Sequence, residues 1–179
     1  MAHTEHRIAD GSILLIRSAT AADAAALLEY VEAVGRESDF LSFGPGEFGL
    51  SLAEEQAFLE KLGTRGNEFY IVGLVNGLIV SALTFTGGER PRVRHRGEFG
   101  ISVRKEYWRL GIASLMLDRL LDWARRSGIV TKINLRVRVD NFRAIRLYER
   151  KGFVREGTIS REAVVDGEYL SDYHMGLEL

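Results

Sequence analysis

Six consecutive residues, Trp108-Arg109-Leu110-Gly111-Ile112-Ala113, have the types and spacing to bind an anion. They lead into a run in which Ile112, Leu115, Met116, Leu120, Trp123 and Ala124 recur at helical spacing. The first N–H groups of a helix have no partner inside it, and the helix dipole adds roughly half a positive charge there. With Gly111 and Ala113 small, a pyrophosphate can approach those amides. A glycine before a helix also serves purely steric ends, so this turn alone supports both readings. No Gly-Lys-Ser/Thr follows, which excludes a P-loop, and the Rossmann G-x-G-x-x-G spacing is absent. A second concentration of charge comes from Arg90, Arg92, Arg94 and Arg96. On a strand this alternation puts four cations on one face, either a solvated face or a seat for an acidic acceptor or phosphate.

Other chemistries are removed by what the chain lacks. It has no cysteine, which excludes disulfides, a thiol nucleophile and thiolate metal sites. His3, His6, His95 and His174 are scattered without ligand spacing, so no metal is expected. A net charge of −1 gives no global field for nucleic acid or an acidic membrane surface, and neither partner is expected. Hydrophobic residues at 46% and charged residues at 27% fit a globular chain rather than a disordered one. The polar start has no apolar signal core and no stretch is long enough to span a bilayer, so the expected location is cytoplasmic.

The elements that must position the turn follow from periodicity. Residues 98–103 alternate as a strand before it, and Gly128 suits a left-handed cap after the helix. Upstream, residues 13–17 read as a strand. Thr20 and Asp23 form a capping box for a helix with Ala24, Leu27, Leu28, Val31 and Val34 inward. Residues 37–50 have no period yet carry Phe40, Phe43 and Phe48; they form an anchored connector or line a pocket. Ser51 and Glu54 cap a second helix with Leu52, Phe58, Leu59 and Leu62 inward. Residues 69–74 and 79–85 flank Asn76-Gly77 as a hairpin. Residues 133–139 form another strand, and Asp140 or Asn141 caps a short helix ending at Lys151-Gly152. Residues 153–165 and 169–179 close the chain as a hairpin around Asp166-Gly167. The order β-α-α-β-β-β-α-β-α-β-β predicts an α+β class with a mixed sheet. One domain over residues 1–179 is expected, with residues 1–11 disordered or extended.

Three stretches together resemble the GNAT N-acetyltransferase superfamily. KEYWRLGIASLML (105–117) resembles its acyl-CoA pyrophosphate motif, Q/R-x-x-G-x-G/A. LRVRVDNFRAIRLYERKGF (135–153) resembles its N-x-x-A-I-x-L-Y-x-x-x-G-F segment. Residues 153–179 resemble the terminal hairpin of one branch. Trp108 stands at the usual Gln/Arg position and Arg109 where glycine is often found. The resemblance implies a three-layer α/β/α fold whose mostly antiparallel sheet splays between strands 4 and 5, here 98–103 and 133–139.

It also implies direct acetyl transfer from acetyl-CoA to a primary amine. The acceptor would be an amino acid, polyamine or drug-like amine, or a protein N-terminus. The alternative is a non-catalytic acyl-CoA-binding regulatory module on the same fold. An amine is mostly protonated near neutrality, so a base is needed. The resemblance points to Glu98, which also fits a solvent-facing residue or a partner for the nearby arginines. It points to Tyr148 beside the leaving thiolate, a role compatible with a core tyrosine. For acetyl-CoA it implies backbone contacts from Ile101 and Val103, the turn Arg109, Leu110, Gly111, Ile112, Ala113 and Ser114, and Asn141, which also suits a helix N-cap. Phe40, Phe43, Asp172 and Tyr173 would line the acceptor pocket. The resemblance admits a homodimer through the sheet edge or terminal strands.

Overall fold

The computed structural model describes residues 3–62 and 64–179. Its elements run β1 (Thr4–Arg7), β2 (Ile13–Ser18), α1 (Ala24–Glu37), α2 (Leu52–Lys61), β3 (Glu68–Val75), β4 (Leu78–Gly87), β5 (Arg96–Val103), α3 (Ile112–Ser127), β6 (Lys132–Arg138), α4 (Phe142–Arg150), β7 (Val154–Val165) and β8 (Glu168–Glu178). Among the described residues the strands form a single sheet in the order β1-β2-β3-β4-β5-β6-β8-β7. Every neighbouring pair is antiparallel except β5 and β6, which are parallel.

That parallel pair is short. Its ladder holds Arg96↔Lys132, Gly97↔Ile133 and Glu98↔Asn134, and then stops. β5 nevertheless continues beside β4 to Ser81↔Val103, and β6 continues beside β8 to Arg138↔Asp172. The two strands therefore part just beyond Glu98 and leave a wedge-shaped gap. This is the splay expected between residues 98–103 and 133–139; an added first strand makes them β5 and β6.

Helices cover both faces. On one, Ile112, Met116, Leu117 and Leu120 of α3 and Ile145 and Tyr148 of α4 meet Leu83, Phe85, Phe99, Ile133 and Leu135. On the other, Leu27, Tyr30 and Val34 of α1 and Leu59 of α2 meet Tyr70, Val72, Leu74 and Ala82. A fully buried side chain of this size contributes about 1.5–3 kcal/mol, so both layers are firmly seated. Hairpin chemistry sets the register: Asn76 and Gly77, like Asp166 and Gly167, have positive φ, as two-residue turns with right-handed twist require.

Of the two alternatives for the start of the chain it takes the extended one, a strand at Thr4–Arg7, with Met1 and Ala2 outside the described residues. Two expectations change. The inward stripe of α2 is rotated: Leu59 and Glu55 are buried, while Leu52 and Phe58 are exposed. Positions 55 and 59 are one turn apart, so burying Leu59 carries Glu55 in with it. The four arginines before β5 do not share a strand face, because residues 90–95 form turns. Buried Asn67 imposes that shape, donating through Nδ2 to the carbonyls of Gly88 (3.0 Å) and Arg94 (3.1 Å). No described helix is long and apolar enough to cross a membrane.

Candidate active site

The pyrophosphate-type turn forms as the spacing predicts. α3 begins at Ile112, with Gly111 as its N-cap at φ 87°, a conformation glycine adopts without strain. The first intrahelical bond is Leu115 N–H to Gly111 O, which leaves the amides of Ile112, Ala113 and Ser114 without intrahelical acceptors. The first turn carries no acidic side chain. Arg109 also has positive φ, 68°, at the place where the resemblance expects glycine. Arg143 of α4 lies over the Trp108 ring, 5.4 Å from its centroid. Partial burial lowers the Arg143 pKa, and the charge of Arg109 lowers it further. Two guanidiniums that repel each other beside an uncapped helix N-terminus form a local field suited to an anion.

Trp108 has a definite task. The Arg104 N–H bonds back to Val80 O on β4 at 2.9 Å, so the carbonyl of the same peptide, Val103 O, points the opposite way, into the gap. Trp108 Nε1 donates to that carbonyl at 2.7 Å. The indole thus ties the turn to the end of β5, and Arg143 covers its outer side. Strand periodicity directs the peptide groups of Ile101 into the gap as well, where the β5–β6 ladder has ended. Val103 keeps its N–H there, while its carbonyl is engaged.

On the α1–α2 face, β5 presents Glu98, Gly100 and Ser102. Ser102 Oγ hydrogen-bonds the hydroxyl of buried Tyr30 at 2.8 Å, fastening α1 to this strand. Glu98 sits where the gap opens, its side chain 44% exposed, and accepts from Arg136 Nε at 2.9 Å. The same guanidinium is hydrogen-bonded to Glu162. These carboxylates, Glu98 first, raise the Arg136 pKa. Two residues along β6, Arg138 donates to both Asp140 oxygens and to the main-chain oxygen of Asp39, and stacks over the Phe40 ring. Asp172, opposite Arg138, has a buried Oδ1 with no hydrogen bond to the described residues. Burial raises its pKa and the charge of Glu162 adds to this, while Arg136 and Arg138 pull it back.

Tyr148 lies on the α3–α4 face, its ring edge-on to Phe99 at 5.7 Å. Burial pushes the phenol well above its usual value. Its hydroxyl makes no hydrogen bond to the described residues. Glu98 and Tyr148 thus approach the gap from opposite faces of the sheet. Among the described residues, no three His, Asp or Glu side chains converge as metal ligands.

The model of the acetyltransferase (GNAT) family matches residues 38–153, from the loop after α1 through the helix bearing Tyr148. The chain belongs to the GNAT family. It is an N-acetyltransferase, and its acyl donor is acetyl-CoA. The L-amino acid N-acetyltransferase AaaT of Escherichia coli K12 is 34% identical over 116 residues, 65% of this chain and 72% of that protein. The crystal structure of a GNAT-family acetyltransferase from Streptococcus pneumoniae superposes with a TM-score of 0.90 at 36% identity, covering 93% of this chain and 99% of that one. The structure of yncA from Salmonella typhimurium with its cofactor acetyl-CoA shares the fold, with a TM-score of 0.79 at 23% identity over 93% of this chain and 94% of that one.

Within this GNAT domain the expected residues fall into groups. Arg109 to Ser114 form one turn, and Ile101 and Val103 face the gap beside it. Asn141 caps α4, its Oδ1 accepting the Ala144 N–H at 3.2 Å. Phe40 and Asp172 share the α1–α2 face with Glu98. Tyr173 does not join them: it alternates with Asp172 on β8, packs toward the α3–α4 core and lies under Arg155, 4.6 Å from the ring centroid. Phe43 is drawn into the α1–α2 core, edge-on to Phe48 at 5.3 Å. The sequence reading missed Arg136, Arg138 and Arg143. The first two fall within the strand read over 133–139, and the third lies in the 135–153 segment with no role of its own.

Proposed function

We propose that this GNAT enzyme transfers the acetyl group directly from acetyl-CoA to the primary amine of a small molecule, with amino acids the first acceptors to try. The observation that carries this reading is the position of Glu98. It is the last β5 residue in the ladder with β6, and its carboxylate is on the face opposite Tyr148. The pyrophosphate lies on the Gly111 to Ser114 amides between Arg109 and Arg143. The pantetheine enters the gap, bonding the free peptide groups of Ile101 and the N–H of Val103. The thioester then lies near Glu98 from one side and Tyr148 from the other.

The acceptor approaches over Phe40 and Asp172 and loses a proton toward Glu98, directly or through water. The exposed side of Glu98 passes that proton to solvent, and Arg136 keeps the carboxylate oriented. The neutral nitrogen attacks the thioester carbonyl, the nitrogen of the tetrahedral intermediate gives its extra proton to the Glu98 carboxylate that solvent has by then deprotonated, and the carbon–sulfur bond breaks to release the CoA thiolate. A thiolate is a far weaker base than a phenolate held above its ordinary value of about 10. Tyr148 therefore donates a hydrogen bond to the departing sulfur, and water supplies its proton. The cysteine-free composition supports direct transfer over a thiol-bound acetyl intermediate. The mixed charges around Glu98, Arg136, Arg138 and Asp172 suit a zwitterionic acceptor, in keeping with the name of the AaaT relative.

The test is calorimetric titration with acetyl-CoA, followed by thiol release with L-amino acids, spermidine and an alanine-initiated peptide as acceptors. Glu98→Gln should lower kcat by about 10²-fold or more while acetyl-CoA affinity is kept. No binding at millimolar acetyl-CoA would sink the reading.

A further inference from the structure

The open end of the gap is bridged on the α1–α2 face by a very short segment. Glu37, the last residue of α1, accepts the Lys105 N–H through Oε2 at 2.6 Å, on the β5 side. Two residues on, the main-chain oxygen of Asp39 accepts from Arg138 Nη1 at 2.7 Å, on the β6 side. Phe40 follows with its ring 4.6 Å from the same guanidinium, and its N–H donates to Ser38 Oγ at 3.3 Å. Residues 37–39 thus run from one lip of the gap to the other.

Arg138 is built to hold its end. It is the last residue of β6, four positions beyond the final β5–β6 rung at Asn134. Its Nε and Nη2 donate to the two oxygens of Asp140 at 3.0 and 2.5 Å, which fixes the plane of the guanidinium. With the fork locked, Nη1 can point only along one direction, and the Asp39 carbonyl lies there. The side chain is 13% exposed, so water competes weakly for these bonds. A charge-assisted donor and a cation over a ring act on consecutive residues of one loop. Lysine, with a single point charge and no fork, cannot reproduce both.

We infer that Arg138 is a positioning residue that fastens residues 37–40 as a strap across the gap and so shapes the acceptor side of the reacting centre. This rests on the gap being the site of acetyl transfer. The strap lies on the face opposite α3 and α4, whereas acetyl-CoA is held by the α3 turn. Loosening it therefore affects the acceptor and leaves the donor alone.

Two measurements on the full chain test the inference. In hydrogen exchange without substrates, the amides of residues 38–44 should exchange at least about tenfold faster in Arg138→Ala than in wild type, with Arg138→Lys between them. In steady-state kinetics with the best acceptor of the panel, Arg138→Ala should raise the acceptor KM about tenfold or more, with the acetyl-CoA Kd from titration unchanged. Arg138→Lys should rescue part of that loss. Asp140→Asn, which unlocks the guanidinium without touching the strap, should shift both readouts in the same direction by a smaller factor. Unchanged exchange over 38–44 in folded Arg138→Ala overturns the strap. Faster exchange with an unmoved acceptor KM, or with acceptor and donor constants rising together, overturns the positioning role. Wild-type protein that binds no acetyl-CoA refutes the transferase reading separately, and the exchange measurement still decides the strap.

Discussion

The two faces of the sheet approach the same gap with different materials. On the α3–α4 face the side proposed for the donor consists of backbone amides at one helix N-terminus, backed by Met116, Leu117 and Leu120 in a continuous apolar layer. On the α1–α2 face the side proposed for the acceptor consists of charged side chains from β5, β6, β7 and the turn after β6, joined as Glu98–Arg136–Glu162 and Arg138–Asp140. Main-chain amides present the same donors whatever the neighbouring side chains, which suits an invariant phosphate. Side chains can be exchanged one at a time, which suits an acceptor that differs between relatives.

The sharpest test of this contrast is Ala113→Glu. A carboxylate in the first turn of α3 complements the dipole, adding about 0.3–1 kcal/mol to stability. At 4 Å from a phosphate it also costs about 1–4 kcal/mol in binding. Titration should show acetyl-CoA affinity reduced by roughly five- to several-hundredfold in a protein that melts no earlier. Undiminished affinity would move the pyrophosphate away from this turn.

The acceptor layer carries two buried carboxyls of opposite character. Asp23 is bonded twice by Arg17 at 2.7 Å and by both the N–H and hydroxyl of Thr20. The Arg17 bond, foremost among these, lowers its pKa. Asp23→Asn should cost about 2–3 kcal/mol at pH 7, somewhat less than breaking a fully buried pair because Arg17 is partly exposed. The folded carboxyl titrates below the unfolded one. The stabilisation is therefore complete above the ordinary Asp value of 3.8 and is lost as pH falls through the lower folded value. Chemical unfolding of both proteins across that range should show the difference vanish in acid.

The carboxylate of buried Glu55 makes no ion pair or hydrogen bond to the described residues, and burial raises its pKa. Glu55→Gln should stabilise the protein by about 1 kcal/mol at pH 7. Here the sign reverses. The folded group holds its proton more tightly than the unfolded one, so wild-type stability is fullest below the ordinary Glu value of 4.5 and declines as pH rises through the folded value. A variant no more stable than wild type at pH 7 would mean that Glu55 has a cationic partner in solution.

The smallest effect belongs to Arg109. Its left-handed backbone costs an ordinary residue about 1 kcal/mol, partly offset because glycine is freer in the unfolded chain. Arg109→Gly should raise stability by about 0.5 kcal/mol and weaken acetyl-CoA binding a few-fold, since one guanidinium leaves the turn. If stability and affinity moved together, Arg109 would be a structural residue rather than an anion contact.

Much of the donor side was legible in the chain because its parts are local. The helix from Gly111 to Gly128, the Asn141 cap and the alternation into Val103 each depend on neighbours a few residues away, and each has the geometry its spacing implies. The α2 stripe was misread because Leu52, Phe58 and Leu59 cannot share one narrow face, and packing selected Leu59. The resemblance places both Asp172 and Tyr173 at the acceptor pocket, whereas adjacent strand residues point to opposite faces. The arginines before β5 alternate as a strand would, but Asn67, more than twenty residues away, bends them into turns.

The sequence by itself determined the order of elements from β2 onward, the anion-ready helix N-terminus and the family to which the chain belongs, because these rest on short-range periodicity and contiguous motifs. The tertiary structure alone decided where β5 and β6 part, that Trp108 closes on the Val103 carbonyl, that Arg136 holds Glu98, and that Arg138 ties residues 39 and 40 across the gap. Those contacts join residues up to 99 positions apart. Their existence depends on how the strands diverge and twist, which no local pattern of residues encodes.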